Sequence, residues 1–132
     1  MSRKELRDGF LRVNQTLYAA DAYFERLDNL YLKGGLKQSS VRTNYLKKKN
    51  PVRRYALNSA LLAEAAYITA KLQMQVKDKE LRKTYRKVMS KVVRARPEPD
   101  VLQAYAIKCA MHYHAHRLTN EMASSGQMVN TF

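Results

Sequence analysis

Leu6, Phe10, Val13, Leu17, Ala20, Phe24, Leu27 and Tyr31 follow one another at alternating spacings of four and three. That period lays apolar side chains along one stripe of a helix. Ser2 with Glu5 three residues later is a capping-box pattern at the start of the stripe. Gly34-Gly35 at its end can take the left-handed conformation that closes a helix. The pattern predicts one helix over residues 3–33, roughly 46 Å long at 1.5 Å per residue. Such heptads are those of a coiled coil, but Tyr23 and Leu30 widen the stripe and Phe10 and Phe24 are bulky for a two-stranded seam. The stripe therefore reads as a packing face buried against two or more neighbours.

The remaining elements follow from similar signals. Asn50-Pro51 is an N-cap followed by a proline at the first helical position, and it opens an alanine- and leucine-rich helix expected over 51–77. Near Val76-Lys77-Asp78 the apolar phase shifts, and Leu81, Tyr85, Val88 and Val92 continue at helical spacing. Asp78 is the expected cap of a further helix over 79–95, the alternative being one long helix bending through this point. Two prolines in Arg96-Pro97-Glu98-Pro99-Asp100 force a boundary. A last helix is expected over 100–123, with Leu102, Ala106, Cys109 and Tyr113 on one face and Ile107, Met111 and Leu118 on a second. Residues 34–50 are left as a basic connector and 124–132 as a short tail. The polar tail from Gln127 to Phe132 has little of its own to order it, and it is expected to be held by a neighbour.

Only four Gly and three Pro occur in 132 residues, too few turn residues for a sandwich or barrel. The expected fold is all-α: one domain, a helical bundle of three to four helices with a long heptad-patterned N-terminal helix.

Charge changes the picture more than composition does. Lys and Arg number 25 against 11 acids, a formal net charge of +14. An excess of this size opposes compaction and is usually compensated by a polyanion. Its distribution is uneven. Between Asp28 and Glu64 there is no acid, while Lys33, Lys37, Arg42, Lys47, Lys48, Lys49, Arg53 and Arg54 fall in that window with Tyr45 among them. Backbone N–H groups at the helix start after Asn50 would add to its attraction for phosphate. A second basic feature lies on the expected 79–95 helix, where Lys79, Arg82, Lys83 and Arg86 are spaced to form one stripe. Neither feature resembles a base-reading motif.

Candidate chemistry is sparse. His112 and His116, four apart on the last helix, have the spacing of two helical metal ligands. A third ligand would have to come from Cys109 or Glu121, so packing histidines are the preferred reading and no metal or cofactor is expected. Carboxylates are too scattered for a di-iron bundle, and Gly34-Gly35 lacks the Gly-Lys-Ser/Thr of a phosphate loop. No catalytic constellation is visible, and no enzymatic activity is expected. Cys109 is the only cysteine, which fits a reducing compartment. No signal peptide or membrane-spanning segment is visible, so an intracellular protein, or one packaged in a virion, is expected.

Three function classes remain. The first is a structural protein of a ribonucleoprotein or virion that contacts nucleic-acid phosphates with little sequence specificity. The second is an interaction module or inhibitor that turns a basic face to an acidic protein. The third, and least favoured, is a membrane-surface protein. In the first two the chain is expected to be a homo-oligomer or a subunit of a larger complex.

Overall fold

The N-terminal apolar stripe is carried by two helices rather than one. Residues 2–36 and 41–125 are described by a computed structural model of the chain. Helix α1 spans Arg3–Leu17 and α2 spans Ala20–Leu27, with Ala19 extended between them (φ −59°, ψ 125°). In a continuous helix the carbonyls of Leu17 and Tyr18 would accept from the N–H groups four residues on. Here Arg26 donates to the Leu17 carbonyl and His112 Nε2 lies 2.9 Å from the Tyr18 carbonyl. The helix is interrupted where these two side chains take over its acceptors. Its start is closed by a capping box, Ser2 Oγ accepting from the Glu5 N–H and Glu5 from the Ser2 N–H.

This break divides the stripe. Phe24, Leu27 and Tyr31 are buried, whereas Leu6, Phe10, Val13 and Leu17 are 43–55% exposed and α1 buries no residue. The expectation of a packing face holds for the second half alone. The first half is a ridge on the surface, and the heptad stripe runs over helical segments broken at Ala19 rather than over one unbroken helix. After Leu27 the ladder widens to π-type hydrogen bonding over Asp28–Lys33, ending with the Gly34 N–H bonded to the Asn29 carbonyl at 2.9 Å. A Cβ on Gly34 would stand 2.8 Å from the Leu30 carbonyl oxygen and 3.0 Å from that of Asn29. Gly35 then takes φ +63°, and the Leu36 N–H returns to the Leu30 carbonyl at 3.1 Å.

The basic connector contains a helix of its own, α3 (Val41–Lys49). Asn50 separates it from α4 (Pro51–Gln75). At Val76 the chain becomes extended, and Asp78 caps α5 (Lys79–Ala95) by accepting from the N–H groups of Glu80 and Leu81. Residues 51–95 thus form two helices. Across Pro97 the chain turns into α6 (Pro99–Ser125). No strand occurs among the described residues, and the fold is all-α. No helix among them is long and apolar enough to cross a membrane. Lys37 and the C-terminal tail from Gln127 lie outside the described residues, as does the side chain of Arg42.

Helix α6 is the centre of the core. It buries Val101, Leu102, Ala104, Tyr105, Ala106, Cys109 and His112, positions spread over rather more than half of its circumference, as expected for a helix covered on more than one side. Helix α4 lies along it with Ala65 and Leu72 buried, and α5 contributes Leu81, Tyr85 and Val92. The aromatic rings of Phe24, Tyr85 and His112 meet edge-on or tilted, with centroids 5.3–6.0 Å apart.

Polar ties hold the N-terminal segment to this core. Asp28 is ion-paired with Lys91 and accepts from the Tyr105 hydroxyl at 3.0 Å. Arg96, in the α5–α6 link, donates to the Tyr31 carbonyl at 2.8 Å while pairing with Glu98.

Candidate functional site

The junction of α3 and α4 concentrates cations that no ion pair engages among the described residues. Asn50 N–H closes α3 by bonding to the Leu46 carbonyl at 3.3 Å, and its side chain caps α4. Lys47, Lys48 and Lys49 therefore occupy the last turn of α3, and Arg53 and Arg54 stand in the first turn of α4. Lys48, Lys49, Arg53 and Arg54 are exposed, and Lys47 is half-buried. The Lys49 ammonium sits 5.8 Å from the centre of the exposed Tyr45 ring.

The two halves of this junction differ electrostatically. A helix C-terminus carries partial negative charge, so Lys47–Lys49 are well placed on α3 without any ligand. An N-terminus carries partial positive charge, and the first turn of α4 holds two arginines and no acid. That arrangement is unfavourable in the isolated chain.

The backbone does not provide the anion site expected at this helix start. Pro51 has no N–H. Those of Val52 and Arg53 donate to Asn50 Oδ1 at 3.0 and 3.1 Å, and that of Arg54 to the Asn50 carbonyl at 3.0 Å. Asn50 has satisfied the donors, so the attraction for anions rests on the side chains.

On α5 the basic stripe is only partly free. Arg82 is half-buried, its guanidinium 3.4 Å from the Gln73 carbonyl, while Gln73 Nε2 donates to the Arg82 carbonyl at 3.3 Å. Arg86 reaches Gln73 Oε1 at 3.4 Å and stays exposed, as do Lys79 and Lys83. Lys33 falls elsewhere. It borders a groove between α2 and α5 that is also lined by Asp21, Glu25, Asp28, Lys87 and Lys91. Among the described residues no ion pair engages Lys47, Lys48, Lys49, Arg53, Arg54, Lys79, Lys83 or Arg86.

His112 and His116 come together as their spacing implied, with rings stacked at 6.1 Å and 13°. His112 is fully buried and both its ring nitrogens are engaged. Because a carbonyl can only accept, Nε2 carries the proton shared with Tyr18, and Nδ1 accepts from the Tyr85 hydroxyl at 2.7 Å. Burial, with His116 nearby, lowers the His112 pKa below the usual imidazole value, opposed by the Tyr18 hydrogen bond. Burial also pushes the Cys109 thiol up to about 12, which keeps it protonated and unreactive. His116 Nε2 pairs with the Asn120 amide at 3.1 Å. Among the described residues no group of three His, Cys, Asp or Glu side chains could hold a metal ion.

A cleft lies between the α4–α5 turn and α6, lined by Lys77, Asp78, Tyr113, His114, His116 and Arg117 among others. Within it Arg117 pairs with Glu121 at 3.1 Å and the Tyr113 hydroxyl donates to the Gln75 carbonyl at 3.4 Å.

Fold and surface together define a basic, all-helical protein whose distinctive chemistry is surface charge. It belongs to the family described as Domain of unknown function (DUF4070), which it matches over residues 1–128. No curated protein and no solved structure matches the chain.

Proposed function

We propose that this chain is a non-enzymatic accessory or structural protein that contacts nucleic-acid phosphates with little sequence specificity, within a larger assembly such as a ribonucleoprotein or a packaged genome. The observation that carries the reading is the pair Arg53 and Arg54 at the positive end of α4, with no acid in that turn and three lysines immediately before it. Phosphate would relieve the conflict with the helix dipole and neutralise the α3 lysines together. Lys79, Lys83 and Arg86 add a second exposed row on α5. Side-chain charges without base-reading geometry give affinity that depends on salt and tolerates sequence.

The test is a binding titration of nuclease-treated protein against several labelled oligonucleotides of unrelated sequence. Affinity should fall steeply from about 50 to 200 mM salt and vary little among sequences. Absence of binding, or binding unchanged by salt, overturns the proposal.

A second reading, an acidic protein on the same surface, is favoured by the Lys91–Asp28 pair. There the basic side of α5 is already matched by a carboxylate from a neighbouring segment. Purification from the native source separates the two: one stoichiometric acidic protein without nucleic acid would select the second.

A further inference from the structure

The outward side of α4 is charge-free along almost its whole length. Val52, Ala56, Ala63, Ala66, Ala70 and Met74 recur at helical spacing opposite the buried Ala65 and Leu72, and all are exposed. Tyr55 and Tyr67 flank them at 76% and 63% exposure, and Met74 reaches 85%. Between Arg54 and Lys71 the only charged residue of α4 is Glu64, which accepts from the Gln103 amide of α6 at 2.6 Å. A solvated helix face ordinarily carries charge, and in a chain that is 27% charged this one carries none.

The surface half of the N-terminal stripe has the opposite relief. Leu6, Phe10, Val13 and Leu17 form a ridge of bulky side chains on α1, whereas the α4 face is mostly alanine. Large side chains seated on small ones let helices approach closely, the usual way two helix surfaces interlock.

We infer that two copies of this chain associate through these faces, the α1 ridge of each copy seated on the α4 face of the other about a two-fold axis. Charge decides for a second copy over an acidic partner. A partner recruited by the +14 excess would seat over the cations, and this face excludes them. Two like-charged copies can meet only where each is neutral. Area agrees. At their exposures the ridge side chains offer on the order of 100 Å² each, so two ridge-on-face contacts cover about 800 Å² per copy, the size of a standard specific interface. A two-fold arrangement uses both faces on both copies and closes, where a one-way contact would propagate.

Light scattering on size-separated, nuclease-treated protein tests this, run at low and high salt over a wide range of concentrations. The expected result is a dimer that persists or tightens at high salt, because salt screens the repulsion between copies and leaves the apolar contact intact. A chain that stays monomeric at every concentration overturns the inference. So does an assembly that falls apart at high salt, since nucleic-acid bridging would explain it. Phe10→Glu on the ridge and Ala63→Glu on the α4 face, both at exposed positions, should each weaken the dimer by about tenfold or more, with helical content unchanged and melting unchanged at dilutions where the proteins compared are monomeric. Mixing the two variants should restore part of the association, since one intact ridge can meet one intact face. A dimer indifferent to Phe10→Glu but abolished by Ala63→Glu would overturn the ridge-on-face arrangement. None of these outcomes depends on whether the chain binds nucleic acid.

Discussion

The Tyr85 hydroxyl donates to His112 Nδ1 across 2.7 Å in the buried centre of the protein. The opposite ring nitrogen is bound to the Tyr18 carbonyl, so one imidazole fastens α5 and α6 to the point where the N-terminal helix breaks. The ring is held neutral with a defined tautomer. Protonation would place a second proton on Nδ1, where the Tyr85 hydroxyl now donates.

Stability should therefore fall on mild acidification. The folded-state pKa of His112 is lowered, chiefly by burial, while in the unfolded chain it returns to about 6.5. Between the two values the unfolded state holds a proton that the folded state lacks, so stability rises with pH across that window. The contribution is complete above about pH 6.5 and disappears as pH falls below it through the folded pKa. Thermal melts followed by circular dichroism over this range should show the decline, and it should be shallower in His112→Gln. An equal slope in the variant would remove His112 as the cause.

Tyr85→Phe isolates the hydrogen bond. It keeps the ring packed against Phe24 and His112 but leaves the buried Nδ1 lone pair without a donor. The expected loss is about 1–3 kcal/mol, the penalty of an unsatisfied buried acceptor. Denaturant unfolding measures it, and a change near zero would mean that water or another donor replaces the hydroxyl.

The parts of this fold legible in the sequence are those set by neighbours along the chain. The caps at Ser2, Asn50 and Asp78 act over two or three residues, so their patterns announce them. The break after Leu17 has no proline or glycine to mark it. It depends on Arg26, nine residues on, and on His112, 94 residues beyond Tyr18. A heptad pattern cannot carry that information, and so the stripe reads as one helix. The candidate site divides in the same way. The lysine run before Asn50 is plain in the sequence, whereas the matching of Lys91 by Asp28 spans 63 positions. The alanines of α4 are visible in the sequence, but which of them face outward is settled only by how α4 lies on α6.

Two glycines should respond to alanine with opposite signs. Nothing lies within 4 Å of a Cβ on Gly9 in α1, so Gly9→Ala should stabilise by about 0.5–1 kcal/mol through helix propensity. A Cβ on Gly34 meets two backbone oxygens at 2.8 and 3.0 Å, which only a shift of the π-type turn can relieve. Gly34→Ala should destabilise by about 1–3 kcal/mol, the range of overpacking. Paired melting curves test both, and a neutral Gly34→Ala would show that the turn relaxes freely.

The sharpest test of the α3–α4 junction sets stability against binding. Replacing Arg53 and Arg54 with Gln removes two cations from the positive end of α4, so the unliganded protein should become more stable by about 0.3–1 kcal/mol per residue. The same change should weaken nucleic-acid binding and lower the slope of log affinity against log salt by about one for each phosphate that is no longer neutralised. Lys91→Gln is the control, because its ammonium is held by Asp28. It should leave the salt slope unchanged while costing some stability. Arginines kept for structure would behave the other way, their removal lowering the melting temperature and leaving the slope intact. Higher stability with weaker affinity is the combination that only a binding role at this helix end produces.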